Sequence, residues 1–140
     1  MTPDTQTLET WTPRALSVLR IVTGFLYIQH GMAKHFGFPH VAMFDHLPTF
    51  SLIGIAGMIE IVFGALVLIG LFTRLAAFIL SGEMAIAYFM AHASAANFLT
   101  PLLNQGESAV LFCFIFLFVA AAGAGPWSLD AMMAKGKPRP

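Results

Sequence analysis

Four long apolar stretches, at about residues 15–33, 52–72, 75–91 and 108–123, dominate this chain and hold at most one charged side chain each. A hydrocarbon core about 30 Å thick is crossed by roughly 20 helical residues, so each stretch is expected to span a bilayer. The runs are continuous rather than alternating, which argues against a transmembrane barrel and for helices. The expected fold is therefore all-α, an integral membrane four-helix bundle forming a single transmembrane domain over residues 1–140. Composition agrees. Of the 140 residues, 58% are hydrophobic and 10% charged, against about a quarter charged in soluble domains, too few to coat a water-facing surface.

The segments between and beyond the spans set the orientation. Pro13 suits the first turn of a helix, and Trp11 and Trp127 suit anchors at the two edges of the spans. Arg14, Arg74, Lys135, Lys137 and Arg139 fall on the side shared by the termini and the turn after span two, whereas Lys34 alone falls on the other. The excess of cations places both termini in the cytoplasm of a multi-pass protein in the bacterial inner (plasma) membrane, with residues 127–140 as a cytoplasmic tail. The first residues carry Asp4 and Glu9 but no cation before Arg14, unlike a cleaved signal peptide. A net charge of zero gives no reason to expect nucleic acid as a partner. Cys113 is the one cysteine, which removes an intrachain disulfide, a CxxC redox pair and a thiolate zinc site. No metal centre is expected, and histidines His35, His40 and His46 read as solvated loop residues.

Charges inside the spans carry the chemistry. A charged side chain at the bilayer centre costs roughly 3 kcal/mol on insertion scales, so Arg20, Glu60 and Glu83 must face the bundle interior and find partners. On span one, Arg20, Thr23, Gly24, Tyr27, His30, Gly31 and Lys34 recur at steps of three and four and share a face, opposite Leu19, Val22, Phe25 and Leu26. Gly57, Glu60 and Gly64 share a face of span two, and Ala76, Leu80, Glu83 and Ala87 a face of span three. At about 1.5 Å per residue from the cytoplasmic ends, Arg20 lies roughly 9 Å deep, Glu83 roughly 13 Å and Glu60 roughly 18 Å. Arg20 is then expected to reach Glu83, leaving Glu60 near Tyr27 without a strong cation and a candidate to hold a proton. The candidate catalytic residues are Glu60, Glu83 and Tyr27. The candidate ligand-binding residues are Arg20, His30, Lys34, His92 and Glu107. His30 and His92 are placed to hydrogen-bond a quinone carbonyl or, as the weaker candidate, to ligate haem. Glu107 also suits the N-terminal end of span four, where an acid complements the helix dipole. Phe112, Phe114, Phe116 and Phe118 read as core and lipid contacts.

These residues lie in stretches that resemble the DoxX family of small four-helix membrane proteins. The matching stretches are the Arg20–Lys34 segment ending His30-Gly31-Met32-Ala33-Lys34, Glu60-Ile61-Val62-Phe63-Gly64, and Gly70-Leu71-Phe72-Thr73-Arg74-Leu75-Ala76. Gly106-Glu107 and Gly123-Ala124-Gly125-Pro126-Trp127-Ser128-Leu129-Asp130 complete the set. The resemblance runs from Arg14 to Asp130. It departs at Gln105-Gly106-Glu107, where family members often carry two glycines before the acid. The resemblance implies a tie to quinone-linked oxidoreduction, the family taking its name from a subunit linked to thiosulfate:quinone oxidoreduction.

The expectation that follows is a component of a quinone-linked membrane oxidoreductase system. His30, Tyr27 and His92 would orient the ring oxygens and Glu60 or Glu83 would relay protons. A redox partner protein would supply electrons, because no flavin motif or iron–sulfur cysteine set is present. The alternatives are a non-catalytic membrane scaffold or assembly factor, or a carrier of a small lipophilic molecule. Besides the lipid bilayer and a redox partner, a second copy of the chain is a candidate partner.

Overall fold

The structure, a computed structural model, describes residues 4–136, so the tail cations Lys137 and Arg139 lie outside it. Six α-helices follow one another: α1 (Thr5–Phe36), α2 (Leu52–Ile69), α3 (Thr73–Ala87), α4 (Pro101–Asn104), α5 (Glu107–Ala122) and α6 (Leu129–Lys135). A 3₁₀ turn, Ala42–Phe44, interrupts the first long loop, and α3 runs on into a π-helical turn, Tyr88–His92. No strand occurs among the described residues. α1 packs along α2 and α3 along α5, and the two pairs join chiefly through α2 and α3. α2, and α3 together with its π turn, are long and apolar enough to cross a membrane, whereas α5 is apolar but shorter.

The boundaries differ from the expected ones where local signals outweigh hydropathy. α1 begins at Thr5, about ten residues before the first apolar stretch, because the Asp4 carboxylate accepts from the Thr7 N–H at 2.7 Å and caps the helix. Pro13 therefore lies inside α1 rather than in its first turn, and the Ser17 hydroxyl donates to the Pro13 carbonyl. The 32 residues of α1 extend about 48 Å. Gly37, in the left-handed conformation, ends it. The segment after Trp127, expected as a plain tail, holds α6, capped by the Ser128 hydroxyl on the Ala131 N–H.

Burial runs opposite to that of a water-soluble domain. Ser17, Arg20, Thr23, Glu60, Thr73 and Ser81 are buried, while Phe25, Phe78, Phe89, Phe114 and Phe118 are each more than half exposed. An apolar solvent permits this arrangement, since only polar groups must turn inward there. Phe116 is buried against Tyr27, so the phenylalanines of α5 divide between core and periphery as expected. Glycine sets the α1–α2 spacing: a Cβ at Gly31 would lie 2.5 Å from the Gly57 carbonyl oxygen, and one at Gly24 would lie 2.8 Å from the Leu68 nitrogen.

Arg20 ties one end of the bundle together. It is fully buried and meets main-chain carbonyls instead of Glu83, the partner expected from depth. Its Nη1 donates to Val67 and Leu68 at 2.6 Å each, its Nε to Ala124 at 2.8 Å and its Nη2 to Trp127 at 2.5 Å. Val67 and Leu68 belong to the last turn of α2, whose carbonyls lack helical partners and carry the negative end of the dipole. Arg74 performs the same service for α5, donating to the carbonyls of Ala120, Ala121 and Ala122. Asp130 completes the knot. Its two oxygens accept from the N–H groups of Phe72 and Thr73 at the start of α3, and its own N–H donates to Gly70. The turn it holds is strained, because Phe72, a bulky residue, sits at φ 48°. Gly70 has φ 73° and lies so close to Ser128 and Arg20 that a side chain there has no room. The segments 70–76 and 123–130 are thus two halves of one interlocked end.

Hydrogen bonds to charged groups contribute about 1.5–3 kcal/mol each. Arg20→Leu, which leaves the carbonyls of Leu68, Ala124 and Trp127 without their donor and Val67 with the Gly70 N–H alone, is expected to destabilise the fold by about 3 kcal/mol or more, read as denaturant unfolding in detergent. Burial opposes ionisation of Asp130, but the Thr73 and Phe72 N–H groups and the Arg20 charge outweigh it and hold the carboxyl below its ordinary value of 3.8. The stabilisation is complete above that value and is lost as pH falls through the lower folded-state value. The wild-type melting temperature is expected to drop on acidification below about pH 4, and Asp130→Asn to lower it at neutral pH and flatten the acid limb.

Candidate functional site

The candidate residues divide among four places. At the first, α1 presents Tyr27, His30 and Lys34, α2 presents Glu60, and α3 presents Glu83. Tyr27 is fully buried, its ring edge-on to Phe112 and Phe116 with centroids 5.2 and 4.8 Å away. Its hydroxyl donates to Glu83 Oε2 at 3.1 Å. Lys34 Nζ donates to Glu60 Oε1 at 2.5 Å, with Glu60 buried and Lys34 largely so. The cation that Glu60 was expected to lack is therefore Lys34, reaching back from the last turn of α1. Its ammonium also lies 5.7 Å from the Phe44 ring centroid, so the 3₁₀ turn of the loop covers the pair. His35, expected to be solvated, donates its Nε2–H to the Gly54 carbonyl oxygen at 2.7 Å.

Two carboxyl oxygens here, Glu60 Oε2 and Glu83 Oε1, are buried and have no hydrogen-bond partner among the described residues. The two acids are near enough to feel each other's charge, and both feel Lys34. His30 lies at the exposed edge of this cluster, its ring centroid 5.9 Å from that of Tyr27 and 5.8 Å from that of Phe112. The site thus joins two acids, one ammonium, one phenol and one imidazole, with two acceptor positions open.

Arg20 stands apart, committed to the carbonyls at the other end of α2. His92 stands apart too. It ends the π turn, its Nδ1 lies 3.2 Å from the Asn104 carbonyl, and its ring stacks on Tyr88. Tyr88 donates to the Phe98 carbonyl and accepts from Asn104, so His92 belongs to a knot that folds the segment between α3 and α5. Glu107 is exposed in the first turn of α5, in keeping with its helix-dipole reading. No three His, Cys, Asp or Glu side chains among the described residues group closely enough to hold a metal ion.

Sequence reasoning found the acids, Tyr27 and His30 but missed the Lys34–Glu60 contact. The signal was present: Lys34 lies on the same α1 face as Tyr27, and a lysine stem is long enough to point its charge back along the helix. Breaking a buried ion pair from one side costs about 3–5 kcal/mol because the other charge is left unpaired. Lys34→Met is expected to destabilise by about that amount, and Lys34→Met with Glu60→Gln to recover much of the loss, as a double-mutant cycle on unfolding free energies would read.

The family model for DoxX matches residues 15–93, from within α1 through the π turn. A protein of Haemophilus influenzae named "Uncharacterized protein" is 44% identical over 126 residues, covering 88% of this chain and 93% of its own length. The Bacillus subtilis protein named "Putative oxidoreductase CatD" is 28% identical over 123 residues, covering 86% of this chain and 87% of its own. No solved structure matches. By the family model and the 44% identity, the chain belongs to the DoxX family, and with its apolar helices it is a small membrane protein.

Proposed function

We propose that this chain is a four-span protein of the bacterial inner membrane, both termini cytoplasmic, whose Glu60–Lys34 and Glu83–Tyr27 pairs hold and exchange a proton with a quinone in an oxidoreductase system. The observation that carries this reading is the pair of buried carboxyl oxygens, Glu60 Oε2 and Glu83 Oε1, left without partners. Buried polar atoms are nearly always paired, so such atoms point to a proton, water or ligand. Two acids facing one ammonium in a low-dielectric interior leave room for one proton between them. Ionisable groups inside a membrane mark proton and substrate pathways by default.

A quinone bound at the exposed edge of His30 would supply two-electron redox chemistry, with electrons from a partner protein. The residues would divide the remaining work. His30 offers a ring nitrogen to a quinone oxygen, and Tyr27 passes a proton between that position and Glu83. Lys34 balances the charge of Glu60, so the cluster is neutral while Glu83 holds the proton that it exchanges through Tyr27. The Bacillus subtilis relative's name supports the oxidoreductase half of the reading. Arg20, His92 and Glu107 have no part in it.

A second reading, a non-catalytic membrane scaffold, is favoured by one observation. Two surface clefts, one against the start of α3 and one beside α4, are lined by none of Tyr27, His30, Lys34, Glu60 and Glu83.

The test is binding of a short-chain quinone to purified protein in nanodiscs, followed by equilibrium dialysis and quinone absorbance across pH. The wild type is expected to bind with an affinity that changes with pH, and Glu83→Gln and Tyr27→Phe to weaken binding about tenfold and remove the pH dependence. That loss corresponds to about 1.4 kcal/mol. Folded wild-type protein that retains no quinone at any pH would favour the scaffold.

A further inference from the structure

At the arginine end of the bundle a cleft of about 420 Å³ opens between the start of α3, the end of α5 and the start of α6. Thr73, Arg74, Gly123 and Asp130 are among its walls. Three features of its lining bear on what it can hold. First, Thr73 is 1% exposed and lines the cleft, its hydroxyl close to the Asp130 carboxylate but making no well-formed hydrogen bond among the described residues. Second, Arg74 uses three of its five N–H donors on the carbonyls of α5, two from Nη1 and one from Nη2. Its Nε–H and one Nη2–H remain uncommitted among the described residues, and this fork matches two oxygens of one phosphate. Third, each Asp130 oxygen accepts one backbone N–H, and the carboxylate, with the Thr73 hydroxyl close by, has lone pairs for further donors.

The cleft therefore offers a cationic fork, a hydroxyl and an anionic acceptor side by side. Trp127 and Trp11 are both exposed, and Ser17 joins the Trp127 N–H to α1 four residues beyond Pro13. In a membrane protein, exposed tryptophans and arginines at the ends of apolar helices mark the headgroup level.

We propose that this cleft binds the headgroup of a zwitterionic aminophospholipid, its phosphate on Arg74 and Thr73 and its ammonium on Asp130. The three N–H donors of an ammonium satisfy Asp130 in a way that a quaternary choline cannot. An anionic lipid brings a phosphate but leaves Asp130 facing negative charge. The site rests on the membrane setting and is independent of the Glu60–Glu83 cluster.

The test is native mass spectrometry of the delipidated full chain in detergent, titrated separately with phosphatidylethanolamine, phosphatidylcholine, phosphatidylglycerol and soluble glycerophosphoethanolamine. The expected result is at least tenfold preference for phosphatidylethanolamine over the other two lipids. Thr73→Val and Arg74→Lys, which keep size or charge so that the fold survives, are expected to reduce that preference at least threefold each. Arg14→Gln, which removes a neighbouring interfacial cation outside the cleft, is expected to leave it intact. Equal retention of the three lipids, or an unchanged preference in both cleft variants, would overturn the proposal. Binding of the soluble headgroup as tightly as the lipid would overturn the lipid as its source. Retention of all three lipids without preference would still leave the membrane setting standing, so the two failures are distinguishable.

Discussion

A single guanidinium holds the fold together. Arg20 projects from α1 into the carbonyls of Val67 and Leu68, where α2 runs out of internal partners, and reaches on to Ala124 and Trp127 beyond α5. In a membrane the last turn of a helix cannot count on water to satisfy its carbonyls. The arginine does so for α2, Arg74 does so for α5, and Asp130 supplies acceptors for the opening N–H groups of α3. Three helix termini are closed by three ionised side chains within one small region.

Much of this was legible in the sequence, and the limits have physical causes. The period of α1 gives the face of Arg20, Tyr27 and Lys34, because helical geometry fixes direction from spacing alone. It does not give partners, which depend on how neighbouring helices are rotated and shifted. Charge was matched with charge, so Arg20 was paired with Glu83, although main-chain carbonyls at a helix end are as good a destination for a guanidinium. The early start of α1 was hidden because residues 5–12 are polar and Pro13 resembles a starting residue, while the decisive group, Asp4, acts by a single capping bond. α6 was hidden by its seven residues.

One sequence departure now has a structural meaning. Gln105 follows α4 in the left-handed conformation, at φ 59°, where a residue with a Cβ is strained and glycine is not. Asn104 helps hold this turn, its side chain accepting from the Gly106 N–H and donating to Tyr88 and Asn97.

The two ends of the bundle are fastened by different means. At the arginine end the fastenings run from side chains to main chain and tie α1, α2, α3, α5 and α6 into one block. At the histidine end α1 and α2 meet through Lys34–Glu60 and His35–Gly54, and α3 joins α1 through the one bond from Tyr27 to Glu83. Among the described residues, the Tyr27–Glu83 bond is the side-chain hydrogen bond that joins α1 to α3, so the contact between these two helices is tied directly to the acid that holds the proton.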